Sequence, residues 1–363
     1  MGTRRVVVAL VAAVGLTALA GACGPPPEPG PTTTTTVPDP GGLPVVPRML
    51  LEPVGAEGLG VVSVVQGIGA AQSYHLSTAT TDRTLDVTDT ADRALMFEAF
   101  DQYDRATQRH LRSAMGADAP VLQMCDSAAI TATCVEIPDS EGLTNASFSP
   151  DASLLSAWGS DPDLGRTVLR LMDSTTYEVV VEVVDDDLRS GIGAARWNPT
   201  STAVAVNLAG SVATLEAAAG AVPEIVTPAG HGEPVSGRQA MMLLGWSRQD
   251  RILSIWSQLD YSTSPPTGSL FVQSVSADGQ ERRDLAPADV LGYGVVAPDG
   301  SAIVPERRTV TQDGQSATAS VPVAFTDEPG AVPDPLALPW TGTSGGVLRA
   351  AQISILGFVA LAS

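Results

Sequence analysis

The stretch Phe148-Ser149-Pro150-Asp151 is the first of four related phrases that decide the fold of this chain. The others are WNPT at 197–200, WSRQ at 246–249 and VAPD at 296–299, so their first residues lie 49, 49 and 50 positions apart. Each phrase begins with a large apolar residue, and three of the four have proline two places later. A short apolar run follows each phrase, at 154–158, 203–206, 252–256 and 302–304. This regular period of strand-like runs separated by turn residues indicates a repeated β unit.

Each unit is long enough for four short strands. In the first unit, the run into Phe148 is followed by strand-like segments at 154–158, 167–172 and 177–184. One four-stranded unit has two open faces, which it can bury only against neighbours arranged around an axis. The sequence therefore predicts an all-β fold, a β-propeller over residues 48–327 with about six blades, or seven if the C-terminal tail joins the ring. The alternative is a β-sandwich with coincidental spacing.

The repeated phrase is interpreted as the tight turn between the innermost strand of a blade and the next strand, because proline presets φ and aspartate tolerates turn conformations. Upstream the period is weaker. Strands are expected at 61–65, 73–77 and 83–87, and the run 95–100 falls near the phase of another strand. Residues 101–115 fit either a helical insertion or a pair of strands.

The phrase Val296-Ala297-Pro298-Asp299-Gly300 is similar to the aromatic-Ser-Pro-Asp-Gly phrase of TolB-type propeller repeats. The resemblance covers residues 143–325, and the third copy lacks the proline. It implies the same β-propeller fold. A propeller carries many unrelated functions, so the fold alone does not choose one.

Residues 1–22 have the pattern of a secretory signal peptide. Arg4 and Arg5 form a positive start, residues 6–20 are almost wholly apolar, and Ala20-Gly21-Ala22 supplies small residues before Cys23. The stretch 19–23 resembles a bacterial lipobox, and that resemblance implies cleavage before Cys23 and a diacylglycerol on its sulfur. Ala20 and Ala22 also form an ordinary A-x-A site, which would release a soluble protein instead.

Cysteine usage favours the lipid. The chain has three cysteines, and export implies an oxidising compartment. Cys125 and Cys134 lie in two strand-like segments that can form one hairpin, where facing cysteines can form a disulfide. Cys23 is then left over and needs its own explanation.

Residues 23–47 are predicted to be a lipidated cysteine followed by a disordered tether rich in proline and threonine, because such chain is extended and builds no core. All 20 basic residues are arginine and the chain has no lysine. This composition suggests a GC-rich bacterial genome, and together with the lipobox and tether it fits an actinobacterial-type envelope.

Residues 328–363 hold a proline-rich spacer and an apolar tail. Leu338, Pro339, Thr341 and Gly342 match the L-P-x-T-G motif by which sortases join surface proteins to the cell wall. The resemblance implies cleavage between Thr341 and Gly342, but the chain lacks the usual basic end. In the alternative, residues 350–361 form a last propeller strand that closes the ring beside the N-terminal strand, which would remove exposed sheet edges.

The composition excludes several functions. The net charge of −20 opposes binding to nucleic acid. The three histidines, His75, His110 and His231, have no zinc-site spacing, and we expect no metal and no cofactor. Glu233, Asp260 and Asp299 can lie on propeller faces, and the run 185–187 can form a calcium loop or a solvated turn. The tryptophans at 158, 197, 246 and 256 are expected in the blade core.

The sequence therefore predicts an exported lipoprotein on the outer face of the cytoplasmic membrane, within the cell envelope. Its propeller is expected to act as a non-catalytic scaffold that binds an envelope protein or glycan, with membrane contact through the lipid. One alternative is a propeller hydrolase or lactonase, which needs polar groups converging on the ring axis. Another is a cell-wall surface protein anchored by sortase. No residue is assigned a catalytic role.

Overall fold

The fold is known from a computed structural model. It describes residues 58–66, 72–78, 81–161, 165–185, 192–228, 230–233, 236–247, 249–260, 267–288, 294–297, 300–312, 315–326, 334–335 and 352–361. These residues belong to one structural unit, 38–363. The expected signal peptide, Cys23, the tether and the motif at 338–342 lie outside the described residues.

The described strands form six antiparallel sheets, which are the six blades of a β-propeller. This confirms the predicted all-β propeller and its number of blades. Blade 1 joins β1 (Gly58–Gln66), β2 (Ser73–Ser77) and β3 (Asp82–Leu85) to the C-terminal β25 (Gln352–Leu361). Blade 2 holds β4 (Tyr103–Asp104), β5 (Arg109–Met115), β6 (Pro120–Cys125) and β7 (Cys134–Glu136).

The remaining blades follow the chain in order. Blade 3 holds β8 (Leu143–Phe148), β9 (Leu154–Asp161), β10 (Arg166–Asp173) and β11 (Val179–Asp185). Blade 4 holds β12 (Ile192–Trp197), β13 (Ala203–Leu208), β14 (Ser211–Glu216) and β15 (Glu224–Thr227). Blade 5 holds β16 (Gly230–Glu233), β17 (Ser236–Trp246), β18 (Arg251–Asp260), β19 (Thr267–Ser276) and β20 (Arg282–Ala288). Blade 6 holds β21 (Val295–Val296), β22 (Ala302–Gln312), β23 (Gln315–Phe325) and β24 (Asp334–Pro335).

Each repeated phrase begins at the end of an inner strand. That strand is the innermost one of its sheet in blades 3, 4 and 6, as the sequence predicts, whereas in blade 5 it is β17, which pairs with the additional strand β16. Strands β8, β12, β17 and β21 end at Phe148, Trp197, Trp246 and Val296. Among the described residues of the turn that follows, one residue in each of these four blades has positive φ. These residues are Ala152 (57°), Ser201 (61°), Asp250 (57°) and Gly300 (93°).

The apolar core lies between successive blades. Phe148 of blade 3 packs in one cluster with Leu111 of blade 2, and Leu169 of blade 3 shares another with Trp197 of blade 4. Trp256 of blade 5 packs with Val212 of blade 4. Because each face is buried against the next blade, the ring stabilises units that are not stable alone.

The C-terminal residues close the ring. Strand β25 pairs antiparallel with β1, from Gly58 opposite Leu361 to Gln66 opposite Gln352. Blade 1 therefore combines three strands near the N-terminus with one from the C-terminus. The ring extends beyond residue 327, since both β24 and β25 belong to its blades.

One expected strand is a helix. Residues Thr90–Ala99 form α1, where a strand is expected at 95–100. The Asp89 side chain accepts hydrogen bonds from the backbone N–H groups of Ala91 and Asp92, which caps the helix. Residues 101–115 then form the strand pair β4–β5. Within the described ranges, no helix combines the length and the apolar character needed to cross a bilayer.

Candidate functional site

The inner ends of four neighbouring blades meet around Asp101 and Arg196. The backbone oxygen of Asp101, just before β4, accepts a hydrogen bond from the Phe148 N–H at 2.7 Å, which links blades 2 and 3. The backbone oxygen of Arg196, in β12, accepts one from Trp246 Nε1 at 2.9 Å, which links blades 4 and 5. Inner strands line the axis of a propeller, so the two residues lie beside that axis.

Helix α1 positions Asp101. At the end of the helix, the Asp101 N–H donates to Glu98 O at 2.9 Å and the Gln102 N–H donates to Phe97 O at 2.8 Å. Asp101 has φ of 56°, in the left-handed region that aspartate tolerates better than most residues. The Gln102 side chain donates to Ala146 O at 3.4 Å, a second contact with blade 3. The helix end is therefore attached to the inner strand of the next blade.

Asp101 and Arg196 interact electrostatically although they belong to blades 2 and 4. Surrounding protein reduces the hydration of Asp101 and raises the pKa of its carboxyl group, while the Arg196 guanidinium lowers it in part. The Asp101 side chain nevertheless remains exposed to solvent, and Arg196 is half-buried. At the inner end of the ring of blades, neighbouring protein surrounds the carboxyl group without covering it.

This arrangement offers two complementary charges to a ligand. A carboxylate that is poorly hydrated gains from a cationic partner, and a guanidinium binds carboxylates and hydroxyl oxygens through directed hydrogen bonds. The carboxylate can therefore bind a basic group and the guanidinium can bind an acceptor oxygen. The raised pKa of Asp101 also lets it hold a proton at higher pH than an ordinary aspartate.

Neither residue was predicted from the sequence, although Arg196 occupies a distinctive position in the repeat. The position before the repeated apolar residue is occupied by Ser147, Arg196, Gly245 and Val295 in the four copies. Arginine is the only charged residue at this position, so an alignment of the copies would have singled out Arg196. Asp101 lies outside the repeat, and no pattern pointed to it.

The two expected disulfide cysteines occupy facing positions. Cys125 in β6 lies opposite Cys134 in β7, and a disulfide joins them with a Cα–Cα distance of 4.0 Å. The bond attaches β7, the outermost strand of blade 2, to the fully buried Cys125 of the neighbouring strand β6.

The histidines lie in different blades. His75 is in β2 of blade 1, where its Nε2 lies 3.0 Å from Ser73 Oγ. His110 is buried in β5 and stacks on Phe97 of α1, with ring centroids 4.3 Å apart. Burial lowers the pKa of His110. His231 lies in β16 of blade 5. Among the described residues, no group of three or more histidine, cysteine or acidic residues is placed to hold a metal ion.

Two of the sequence-predicted acidic residues lie in blade 5. Glu233 pairs with Ser236 and Ser236 pairs with Asp260, so the two acidic residues are in β16 and β18, with β17 between them. Asp185 ends β11, whereas Asp186, Asp187 and Asp299 lie outside the described residues. Trp197, Trp246 and Trp256 are buried in interblade clusters and Trp158 packs against one, as expected for core residues.

Comparison with known proteins gives similar folds only. No known family matches the sequence, and no curated protein matches it. TolB from Acinetobacter baumannii has a TM-score of 0.44 at 11% identity; the match covers 74% of this chain and 64% of that one, so the chain spans less than two thirds of its length. A putative TolB from Agrobacterium tumefaciens has a TM-score of 0.42 at 10% identity and covers 67% and 95%. An oligogalacturonate lyase from Vibrio parahaemolyticus has a TM-score of 0.34 at 9% identity and covers 78% and 86%.

Proposed function

We propose that this chain is a cell-envelope lipoprotein, tethered through Cys23 to the outer face of the cytoplasmic membrane, whose propeller is a non-catalytic binding scaffold. The signal-like residues 1–22 and the lipobox-like stretch before Cys23 support export and lipidation. The proline- and threonine-rich residues 24–42 support a tether that holds the ring away from the membrane. The partner is an envelope protein or a glycan.

The single observation that carries this proposal is the place of β25 in the ring. Sortase cleavage between Thr341 and Gly342 would remove residues 342–363 and with them the innermost strand of blade 1. Strand β1 would lose its β25 partner along its whole length. An anchor at the N-terminal end leaves all six blades intact, so it suits this fold better than a wall anchor at Thr341.

The binding surface in this proposal is the axial end formed by Asp101 and Arg196. Both groups are accessible to a partner, and they come from inner strands or turns that other blades hold in place. Sites on such rigid elements favour binding because little ordering is needed on association.

The hydrolase or lactonase alternative is favoured by two features of Asp101. The raised pKa and the positive φ of Asp101 are features that also occur in catalytic acids. If the chain were such an enzyme, Asp101 would be its proton donor. Asp101→Asn would then abolish turnover of simple γ- and δ-lactones by the purified protein.

The absence of lysine allows a direct test. Carbodiimide joins carboxyl groups to amines, so in intact envelopes the carboxyl groups of this chain can react with partner lysines but with no lysine of its own. We expect a crosslinked partner attached near Asp101, with about tenfold less product for Asp101→Asn or Arg196→Gln. Asp118→Asn, a change in an exposed turn between β5 and β6, is the matched control and retains the product.

Equal crosslinking in all variants would contradict the axial binding surface. Release of the Cys23→Ala protein from membranes into the soluble fraction is expected, since that variant cannot carry the lipid. An unchanged membrane fraction for Cys23→Ala would contradict the tether.

A further inference from the structure

The outer edge of blade 3 differs from the other blade edges. Strand β11 is the last strand of its sheet and spans seven residues, VVVEVVD at 179–185. It contains five valines, no proline and no basic residue. An outermost strand has one side on which its N–H and C=O groups have no neighbouring strand.

The other outer strands carry features that discourage pairing with another chain. Strands β3, β7, β15 and β24 have only four, three, four and two residues. Strand β20 has seven residues, but it contains Pro287 and begins with Arg282 and Arg283. Short length, proline and basic side chains are usual protections of a sheet edge. Among the described outer strands β11 alone has none of these three, although it carries the acidic residues Glu182 and Asp185.

The β11 strand is firmly held on its inner side. Five consecutive residues, from Val181 opposite Leu171 to Asp185 opposite Thr167, pair with β10 in regular register. Val181 is buried, and Val183 packs against the cluster between blades 3 and 4. The residue pairing shifts before Val181, at the start of the strand, so the regular part is 181–185. Val179 and Val184 are exposed. The strand is therefore an ordered template with apolar side chains in contact with solvent.

The negative charge near β11 favours a basic partner. Residues 178–185, EVVVEVVD, hold three acidic residues and no basic one. On the neighbouring strand, Arg170 is already engaged with Glu182 at 2.7 Å and Asp161 at 3.3 Å. An approaching strand with lysine or arginine at alternate positions would meet complementary charge. A second copy of this chain would bring the same acidic edge and a net charge of −20, which opposes self-association.

We propose that β11 is a docking edge for an extended, basic segment of a partner protein, which adds a fifth strand to blade 3. Backbone hydrogen bonds along 181–185 supply affinity, and the exposed acidic residues Glu178 and Glu182 supply specificity. This edge belongs to the outermost strand of its blade, whereas Asp101 and Arg196 lie at inner strands. The proposal goes beyond the axial binding function and can fail independently of it.

The test uses the full-length chain and two synthetic nine-residue peptides. In one peptide lysine alternates with valine, and in the other glutamate replaces each lysine. Backbone hydrogen exchange is measured with and without peptide. We expect the lysine peptide to slow exchange at 181–185 and to bind at least tenfold more tightly than the glutamate peptide at low salt.

Two kinds of variant separate the charge from the backbone. Glu178→Gln and Glu182→Gln are each expected to weaken the lysine peptide about two- to fivefold. Glu224→Gln, on the outer strand of blade 4, is the matched control and leaves binding unchanged. Val183→Pro and Val184→Pro each remove one backbone N–H group. Because successive N–H groups point to opposite sides of a strand, one variant loses a hydrogen bond to β10 and the other loses an N–H on the outer edge. The variant that keeps the hydrogen bonds to β10 and a native melting temperature is expected to bind the lysine peptide at least tenfold more weakly.

Three results would overturn the proposal. The first is equal binding of both peptides. The second is slowed exchange elsewhere with none at 181–185. The third is a concentration-dependent dimer of the unliganded chain, abolished by the folded proline variant, which would assign the edge to a second copy.

Discussion

In three of the four copies, the side chain directly after the repeated apolar residue accepts backbone hydrogen bonds and so stabilises the turn between the two inner strands of its blade. Ser149 Oγ accepts from the Leu154 N–H at 3.0 Å, and Asn198 Oδ1 accepts from the Thr202 and Ala203 N–H groups. Ser247 Oγ accepts from the Arg251 N–H at 3.3 Å. The fourth copy has Ala297 at this position, and it is also the copy whose positive-φ residue is glycine, Gly300. A side-chain acceptor thus stabilises the turn in three copies, and in the fourth copy glycine adopts the positive φ of the turn without steric cost.

We predict that Ser149→Ala lowers the free energy of unfolding by about 1–2 kcal/mol, because the Leu154 N–H loses a buried acceptor. Ser149 is itself buried and also donates to Asp151 Oδ1 at 2.7 Å. Urea unfolding followed by tryptophan fluorescence measures the change. Ser149→Thr, which keeps the hydroxyl group, is the control. Equal stability of the alanine variant and the wild type would show that this acceptor is dispensable.

Asp151 makes stability depend on acid pH. Partial desolvation raises the pKa of its carboxyl group, but hydrogen bonds from Ser149, Ser153 and Ser201 outweigh it and lower the pKa from 3.8 to about 2. The folded pKa lies below the unfolded one, so the contribution is present above about pH 4 and is lost as the pH falls towards 2. We expect Asp151→Asn to be less stable than the wild type at pH 7, with a difference that shrinks as the pH falls from about 4 through about 2. A constant difference across this range would contradict the assignment, and Asp118→Asn serves as the control.

Among the elements, α1 and β25 pack closely against each other. A Cβ atom added to Gly357 of β25 would lie 2.2 Å from Ala99 O and 2.9 Å from Ala99 Cα. The helix backbone therefore approaches the closing strand at a position where only glycine fits. Because α1 ends at Ala99 and the Asp101 N–H donates to Glu98 O in its last turn, this contact also helps to position Asp101.

We predict that Gly357→Ala destabilises the chain by roughly 1–3 kcal/mol, the usual cost of overpacking. Gly268→Ala in β19 is the matched control, because the added methyl group meets only the end of the Leu259 side chain. Differential scanning calorimetry compares the two. A Gly357→Ala protein that melts with the control would show that the helix can move without cost.

The disulfide of blade 2 stabilises the pairing of β6 with β7. We expect Cys125→Ser combined with Cys134→Ser to lower the free energy of unfolding by about 2–3 kcal/mol, because the short loop between the two strands is no longer closed. Reduction of the wild type is expected to have the same effect, and reductant is expected to leave the double variant unchanged. A wild type that unfolds at the same urea concentration with and without reductant would contradict this account.

The elements also show how far the sequence could predict the fold. The phrases beginning at Phe148, Trp197, Trp246 and Val296 predicted four inner strands and their turns, because the same turn recurs with the same spacing. Helix α1 was not predicted. Its apolar residues Leu95, Met96 and Ala99 show helical spacing and Asp89 is an N-cap type, and neither signal entered the prediction, which followed the phase of the repeat. The axial pair was missed because it joins blades 2 and 4, and no local pattern reports contacts at that separation.

At the scale of the whole molecule, the ends of the chain have different tasks in this account. The C-terminal residues 352–361 complete blade 1, so the ring needs them in place. The N-terminal region carries the proposed lipid and tether. Binding surfaces then remain at the axial end and at the β11 edge, which a tethered ring can present to other envelope components. The fold alone is compatible with many functions, so the account rests on which end is attached.

Peptide mass spectrometry of both mature ends tests this central claim most directly, on protein purified from its native envelope. The account predicts an N-terminal peptide that begins at Cys23 with a diacylglycerol on its sulfur, together with an intact C-terminal peptide ending at Ser363. A free Cys23 and a chain that ends at Thr341 on a cell-wall fragment would contradict it. That result would also mean that the mature ring lacks β25.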